Sequence, residues 1–398
     1  MGITVGVVAE LFPGERRVAV VPLSIPALAK AGAQLIFERG AGLAAGFSDA
    51  EYEQKGARAA SADEVLAAAD VVLGVRTAGA NPAGSGEAER LRAGQVLIGF
   101  GEPLSAPEGY RDLAVRGVTA FAMEMMPRIT RAQSMDALSS MATIAGYKSA
   151  LLAAGALPRM FPMLMTAAGT IAPARVLVIG AGVAGLQAIA TARRLGAVVS
   201  GYDIRPAVKE QIESLGARFI TLELETGAAQ DQGGYAKAMG EEFYRRQREL
   251  MGDVIANHDV VITTASVPGQ KAPVLVTAEM VRRMAPGSVI VDIAAERGGN
   301  CELTRPGETA VENGVSILGP VNLPAAVPYH ASQMYSRNIV TFLAHLLKQG
   351  QLALDLADEI TRETLITHAG EIVHRRVRQA LGLPEAFGAQ ETTLKQTR

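Results

Sequence analysis

Gly180, Gly182 and Gly185 follow the apolar run Val176–Ile179 and open a helix-like segment, LQAIATARRLGA. A strand that enters a helix through such a turn can hold a pyrophosphate. Gly180 permits the tight turn, Gly182 lets the backbone approach the anion, Gly185 lets the helix pack closely, and the helix N-terminus aims its N–H groups at the charge. Glycine turns also serve packing alone, so the context matters. Asp203 ends the next strand at about the 20-residue distance expected of a ribose-binding carboxylate. It can accept hydrogen bonds from the adenosine ribose hydroxyls and repel a 2′-phosphate, which favours NAD(H) over NADP(H). Arg205 nearby works against that preference.

A second constellation, Arg128, Arg131, Gln133, Asp136, Ser139 and Ser140, gathers at the start of a long helical pattern, Thr130 to Ala154. Thr130 with Gln133 matches a capping box, so the helix is expected to begin there. Helical spacing then puts Gln133, Asp136 and Ser140 on one face. Such a stripe could hold a nicotinamide, with an amide or hydroxyl for its carboxamide and an Arg–Asp pair to orient it. A capped helix with a solvated first turn explains the same residues.

Other chemistries are excluded by residue type. The chain has five histidines, the first of them His258, and one cysteine, Cys301, so neither a disulfide framework nor a Cys-based metal cage is available. His330, His345 and Cys301 read as packing or surface residues, and the run HRRVR from His374 as a solvated face. No nucleophile elbow or P-loop occurs. The formal net charge of -2 provides no positive field for nucleic acid. The N-terminus lacks the order of a signal peptide, so a cytoplasmic protein with nothing removed is expected. The longest nearly uncharged run, Val176 to Ala192, falls short of the ~20 apolar residues that span a bilayer.

The elements that would position these residues are those of an α/β protein. Over 398 residues, 49% are hydrophobic and only 5% aromatic, with 42 glycines, a balance suited to helices packed on parallel sheets. Apolar runs at Thr4–Ala9, Pro26–Ala31, Gln34–Phe37, Val71–Val75, Val96–Phe100 and Val118–Met123 alternate with amphipathic stretches. A second series starts at Arg175: VLVIGA, VVSGYD, FITLEL, DVVITTA, SVIVDIA and VSILGP. Two Rossmann-like doubly wound parallel-sheet domains joined by long helices are expected. They comprise 1–136 plus 322–398, and 137–321, with a second long helix from Ala331 to Leu347. The glycine-rich stretch Thr226–Gly240 suits a flexible flap, although the residues alone favour an ordinary surface loop.

The segments PGERRVAVVP (13–22), RITRAQSMDALSSMATIAGYKS (128–149), GAGVAG with Asp203, GGYAKAMGEEF (233–243), TTASVPGQKAPVLVT (263–277) and ERGGNCELT (296–304) closely resemble the NAD(H)-binding component of proton-translocating nicotinamide nucleotide transhydrogenase. That resemblance implies a soluble, dimeric component that binds NAD(H), peripheral on the cytoplasmic side of the inner membrane. It would pass hydride to NADP+ on a separate NADP(H)-binding component, while a membrane-embedded component couples transfer to proton movement. It further implies that Arg128, Gln133, Asp136 and Ser139 form the nicotinamide site. Gly180, Gly182, Val183 and Gly185 would form the phosphate turn, and Asp203, Ile204, Arg205, Thr264 and Ala265 further nucleotide contacts. Tyr235 would belong to a mobile loop that closes over the nucleotide.

Two other readings are open. Alanine dehydrogenases resemble the chain in ERRVA and the glycine motif, with Arg17 at their substrate arginine and Arg76 where they carry a lysine. They rely on a histidine in a strand-end loop, and here that loop is VLIGFGEPL. Losing a proton relay costs ~10²-fold or more in such chemistry. A non-catalytic NAD(H) sensor would close on the nucleotide without hydride transfer.

Overall fold

A computed structural model describes residues 2–82, 86–222, 241–266, 269 and 271–384. The chain divides into two compact units, Met1–Ser140 with Pro328–Arg398, and Met141–Val327. The first unit contains β1 (Ile3–Val7), β2 (Ala33–Glu38), β3 (Arg58–Ala60), β4 (Val71–Arg76), β5 (Val96–Phe100) and β6 (Thr119–Ala122), paired in parallel in the order 3-2-1-4-5-6. Helices cover such a sheet on both faces, so its central strands are mostly apolar: VVLGV of β4 and all of β6 are buried.

The second unit begins within the helix Ala137–Ala156, which is followed by an antiparallel ribbon, β7 (Leu164–Thr166) and β8 (Gly169–Ile171). Its main sheet contains β9 (Arg175–Ile179), β10 (Val198–Tyr202), β11 (Arg218–Phe219), β12 (Val260–Thr263), β13 (Val289–Asp292), β14 (Thr309–Glu312) and β15 (Val315–Leu318). The order is β11-β10-β9-β12-β13-β15-β14, parallel except for β14 at the edge. The same strand order thus occurs twice.

The chain then returns to the first unit. The helix Pro328–Leu346 buries Tyr335, Ile339, Phe342, Leu343 and Leu346 along one stripe. Its Ser332 and Ser336 hydroxyls accept hydrogen bonds from the Val18 and Val21 amides, pinning the segment after β1. A short ribbon follows, β16 (Leu347–Lys348) with β17 (Gln351–Leu352), and then β18 (Leu365–His368) and β19 (Glu371–Ile372) extend the first sheet beyond β6 in antiparallel fashion.

Several local expectations are corrected. The bridging helix spans Ala137–Ala156, and Thr130–Met135 is a 3-10 turn preceded by Ile129 with no side-chain cap. Asp136 caps the helix in place of Thr130, because its carboxylate accepts from Ser139 N at 2.9 Å and Ser139 Oγ at 2.5 Å. Gln133 is therefore not on one helical face with Asp136 and Ser140. Of FITLEL, only Phe219 is in a strand; Glu223 and Leu224, like Thr226–Gly240 with Tyr235, lie outside the described residues. His374 is buried instead of solvated, and burial pushes its pKa down.

Candidate functional site

The glycine turn leaves the central strand β9 of the second sheet. Gly180 has φ +97°, a region that L side chains rarely adopt. A Cβ at Gly185 would stand 1.8 Å from the Gly180 carbonyl oxygen, so the helix Val183–Arg194 approaches the strand only with glycine there. Gly182 is different. Its φ of -73° suits any residue, and a Cβ would meet nothing within 4 Å. The chain itself does not require glycine at this exposed position, whereas the close approach of a phosphate to the backbone does. Gly182 and exposed Val183 begin a 12-residue helix with no acidic residue in its first turn, and so fit an anionic ligand.

Asp203 follows β10 and is buried. Its Oδ2 accepts from Ala181 N at 2.7 Å, tying the next strand end to the glycine turn. Arg205 takes up the rest of the carboxylate: its backbone N and Nε donate to Oδ1 at 2.8 and 2.9 Å, and Nη2 to Oδ2 at 2.8 Å. Spacing alone suggests a carboxylate open to ribose hydroxyls; a fork-shaped guanidinium instead pairs with it. Ile204 lies between the two and packs against the apolar cluster around Leu177, Ile179 and Tyr202.

Thr264 and Ala265 follow β12, beside the turn. Thr264 Oγ1 donates to Gly180 O at 3.0 Å. Asn300 grips Ala265 from both sides, accepting from its N and donating to its O, each at 2.9 Å. Behind it, fully buried Asp292 accepts from Asn300 N, Cys301 N, Thr304 Oγ1 and Thr263 Oγ1 at 2.6–3.0 Å. Sequence reasoning misses Asp292 and Asn300 as organisers of this loop. The GGNC motif is the available signal, and the carboxylate that orders it ends β13, eight residues before Asn300. Cys301 is buried, and burial pushes its thiol up to about 11, so it packs instead of reacting.

The residues Arg128, Gln133, Asp136 and Ser139 belong to the first unit. Arg128 and Gln133 are exposed, while Ala132 and Met135 are buried and peg the 3-10 turn to the core. Asp136 and Ser139 bond to one another at the helix start. Arg131 pairs with Asp358.

The first sheet reverses its order at the same place, between β1 and β4, where an α/β protein binds ligands. Here the chain's own side chains fill it. Glu10 accepts from Val75 N and Arg76 N at 2.7 and 2.9 Å. Glu15, with its side chain wholly buried, pairs with Arg17 at 2.6 Å and Arg76 at 3.5 Å, and the Arg76 guanidinium lies 3.9 Å over the Phe12 ring. A cavity of about 30 Å³ lined by Glu10, Arg76, Asn81 and Glu87 remains, room for a water and not for a nucleotide. Burial pushes Glu10 up to about 8, and Glu87 and Glu124 to about 7.

Two parallel sheets of one strand order, one of them carrying a glycine turn with an open second glycine and a strand-end aspartate, define a Rossmann-type α/β protein. The models for the N-terminal and C-terminal domains of alanine dehydrogenase/PNT match residues 6–145 and 149–375. An NAD(P) transhydrogenase subunit alpha protein of Rhodospirillum rubrum is 47% identical over 92% of this chain and 96% of its own length. The crystal structure of transhydrogenase from Sinorhizobium meliloti superimposes with a TM-score of 0.84 at 45% identity, over 93% of this chain and all of that one. Alanine dehydrogenase of Mycolicibacterium smegmatis is more distant, at 30% identity over 97% of this chain and 99% of its own length. The chain belongs to the alanine dehydrogenase/PNT family.

Proposed function

We propose that this chain is the NAD(H)-binding component of a proton-translocating transhydrogenase. It would exchange hydride with NADP(H) held on a partner component, while a membrane-embedded component couples the exchange to proton movement. Gly182 carries the reading: its glycine has no requirement within the chain and suits a pyrophosphate lying against the backbone. Gly180, Val183 and Gly185 would complete that cradle. Asp203, Ile204 and Arg205 would receive the adenosine ribose, with Thr264 and Ala265 beside the turn. Arg128, Gln133, Asp136 and Ser139 would orient the nicotinamide, and Tyr235 would belong to a segment that closes over it.

Bound NAD(H) supplies the hydride. The chain's own work is then to bind, to align and to exclude water, because direct transfer between two rings needs reacting atoms about 3–3.5 Å apart and no acid or base. The first histidine being His258, and a loop after β5 without imidazole, are consistent with this. The same residues weigh against alanine oxidation.

No helix among the described residues is long and apolar enough to cross a membrane. We place the chain peripherally, on the cytoplasmic side of the inner membrane, as a homodimer. The ribbon β7–β8 supports the dimer, since it exposes Met163, Met165 and Ile171, and a two-stranded ribbon is marginal alone.

The test is hydride transfer from NADH to thio-NADP+, followed by absorbance, with the purified chain alone and then with washed membranes of the encoding organism. Transfer is expected only with membranes. No transfer in either, with NADH binding intact, would replace this reading with that of an NAD(H) sensor; NAD+ reduction by alanine would replace it with that of a dehydrogenase.

A further inference from the structure

The turn Thr130–Met135, which carries Gln133, is also held from outside. Asn338, on the helix Pro328–Leu346, donates from Nδ2 to Ser134 O at 2.9 Å. Arg131 Nη1 donates to Asp358 Oδ1 at 2.5 Å, across 227 positions of sequence. The other Asp358 oxygen faces His345 Nε2 at 2.9 Å, Thr361 N at 2.9 Å and Thr361 Oγ1 at 3.1 Å. Asp358 is thereby both the N-cap of the helix Glu359–Thr364 and the fixed end of an ion pair reaching the turn. Burial alone would raise its pKa, but the bonds from Thr361, Arg131 and His345 outweigh burial and hold the carboxyl well below its ordinary range.

We infer that Asp358 is a positioning residue: through Arg131 it locks the turn that presents Gln133, and so sets the angle at which a nicotinamide is held. This rests on the assignment of Arg128, Gln133 and Asp136 to the nicotinamide. A carboxylate shared among an arginine, a histidine and a helix cap has one low-energy orientation, which stiffens an exposed turn otherwise pegged by Ala132, Met135 and the Asn338 bond to Ser134 O. Misalignment of about 1 Å costs hydride transfer up to ~10²-fold while barely affecting how tightly the adenosine half binds.

Two variants separate the clamp from the cap. Arg131→Ala removes the ion pair and leaves the cap untouched. Asp358→Asn keeps a good N-cap and loses the charge. With washed membranes, each variant is expected to lower the rate at saturating nucleotide about tenfold while NADH affinity, read by fluorescence, stays within about threefold of wild type. The double variant should be no worse than Arg131→Ala, and Arg131→Lys should recover part of the rate. Wild-type rates in both single variants, or a joint fall of rate, affinity and Tm, would overturn the inference.

Hydrogen exchange at the amides of residues 132–136 provides a readout independent of turnover. Exchange there should speed up about tenfold in Arg131→Ala with the rest of the chain unchanged, and unchanged exchange would overturn the clamp. If the wild-type chain fails to transfer hydride, the functional reading falls, while exchange still decides whether the clamp exists.

Discussion

The two sheets have the same strand order and the same switch point, yet their first turns differ. In the second unit, β9 runs through Gly180, Gly182 and Gly185 into a helix whose N-terminus is exposed, and the space over Gly182 is open. In the first, β1 runs into VAELFPGERR, and Glu10, Glu15, Arg17, Arg76 and Phe12 occupy the crevice. The fold supplies a crevice twice, and the side chains of one turn decide whether a ligand or the protein itself fills it.

The largest effect should come from making the two turns alike. Gly185→Ala sets a Cβ against the Gly180 carbonyl, and such overpacking costs ~3 kcal/mol or more. Calorimetry should show the second unit's Tm falling by roughly 10 °C, with NADH binding lost. Gly182→Ala sharpens the contrast. It meets no protein atom, so Tm should hold while NADH affinity falls about tenfold or more; unchanged affinity would remove the pyrophosphate from this turn.

A smaller effect is expected at Asp203. Arg205→Ala frees its carboxylate and removes a cation that a 2′-phosphate could use. Titration with both coenzymes should show preference for NADH over NADPH rising about tenfold. An unchanged or falling preference would exclude this role for Arg205.

The smallest effect concerns pH. Glu10 rises from 4.5 to about 8, and Glu87 and Glu124 from 4.5 to about 7, because burial disfavours their charged forms. The folded first unit keeps protons that the unfolded chain gives up, so its stability falls as pH rises through about 4.5 to 8. In the second unit, burial lowers His258 below 6.5, so its stability falls in the opposite direction, as the medium becomes acid. Tm measured across this range in the wild type and in Glu10→Gln should show a shallower fall in the variant; identical slopes would exclude Glu10 as a source.

Legibility follows distance along the chain. The turn at 180–185, most strands of both series and the helix following the second sheet are readable because each depends on neighbours within a few residues. The helix start is misplaced because Thr130–Gln133 and Asp136–Ser139 are competing local caps. Asp136 takes the helix, while the preceding turn is held to Asn338 and Asp358, more than 200 positions away. His374 reads as surface since its burial comes from packing that no local pattern announces.

By itself, the amino-acid sequence determined the two α/β series, the phosphate-type turn and the carboxylate at the next strand end, because periodicity, glycine and strand ends are local properties. Tertiary structure alone decided that Asp203 also holds the Ala181 amide, that Glu15 reaches Arg76, that Asp292 and Asn300 order the loop beside the turn, and that Asp358 grips Arg131. Each of these is a bond whose strength depends on burial and on an orientation fixed by packing, and neither exists until the sheets have formed.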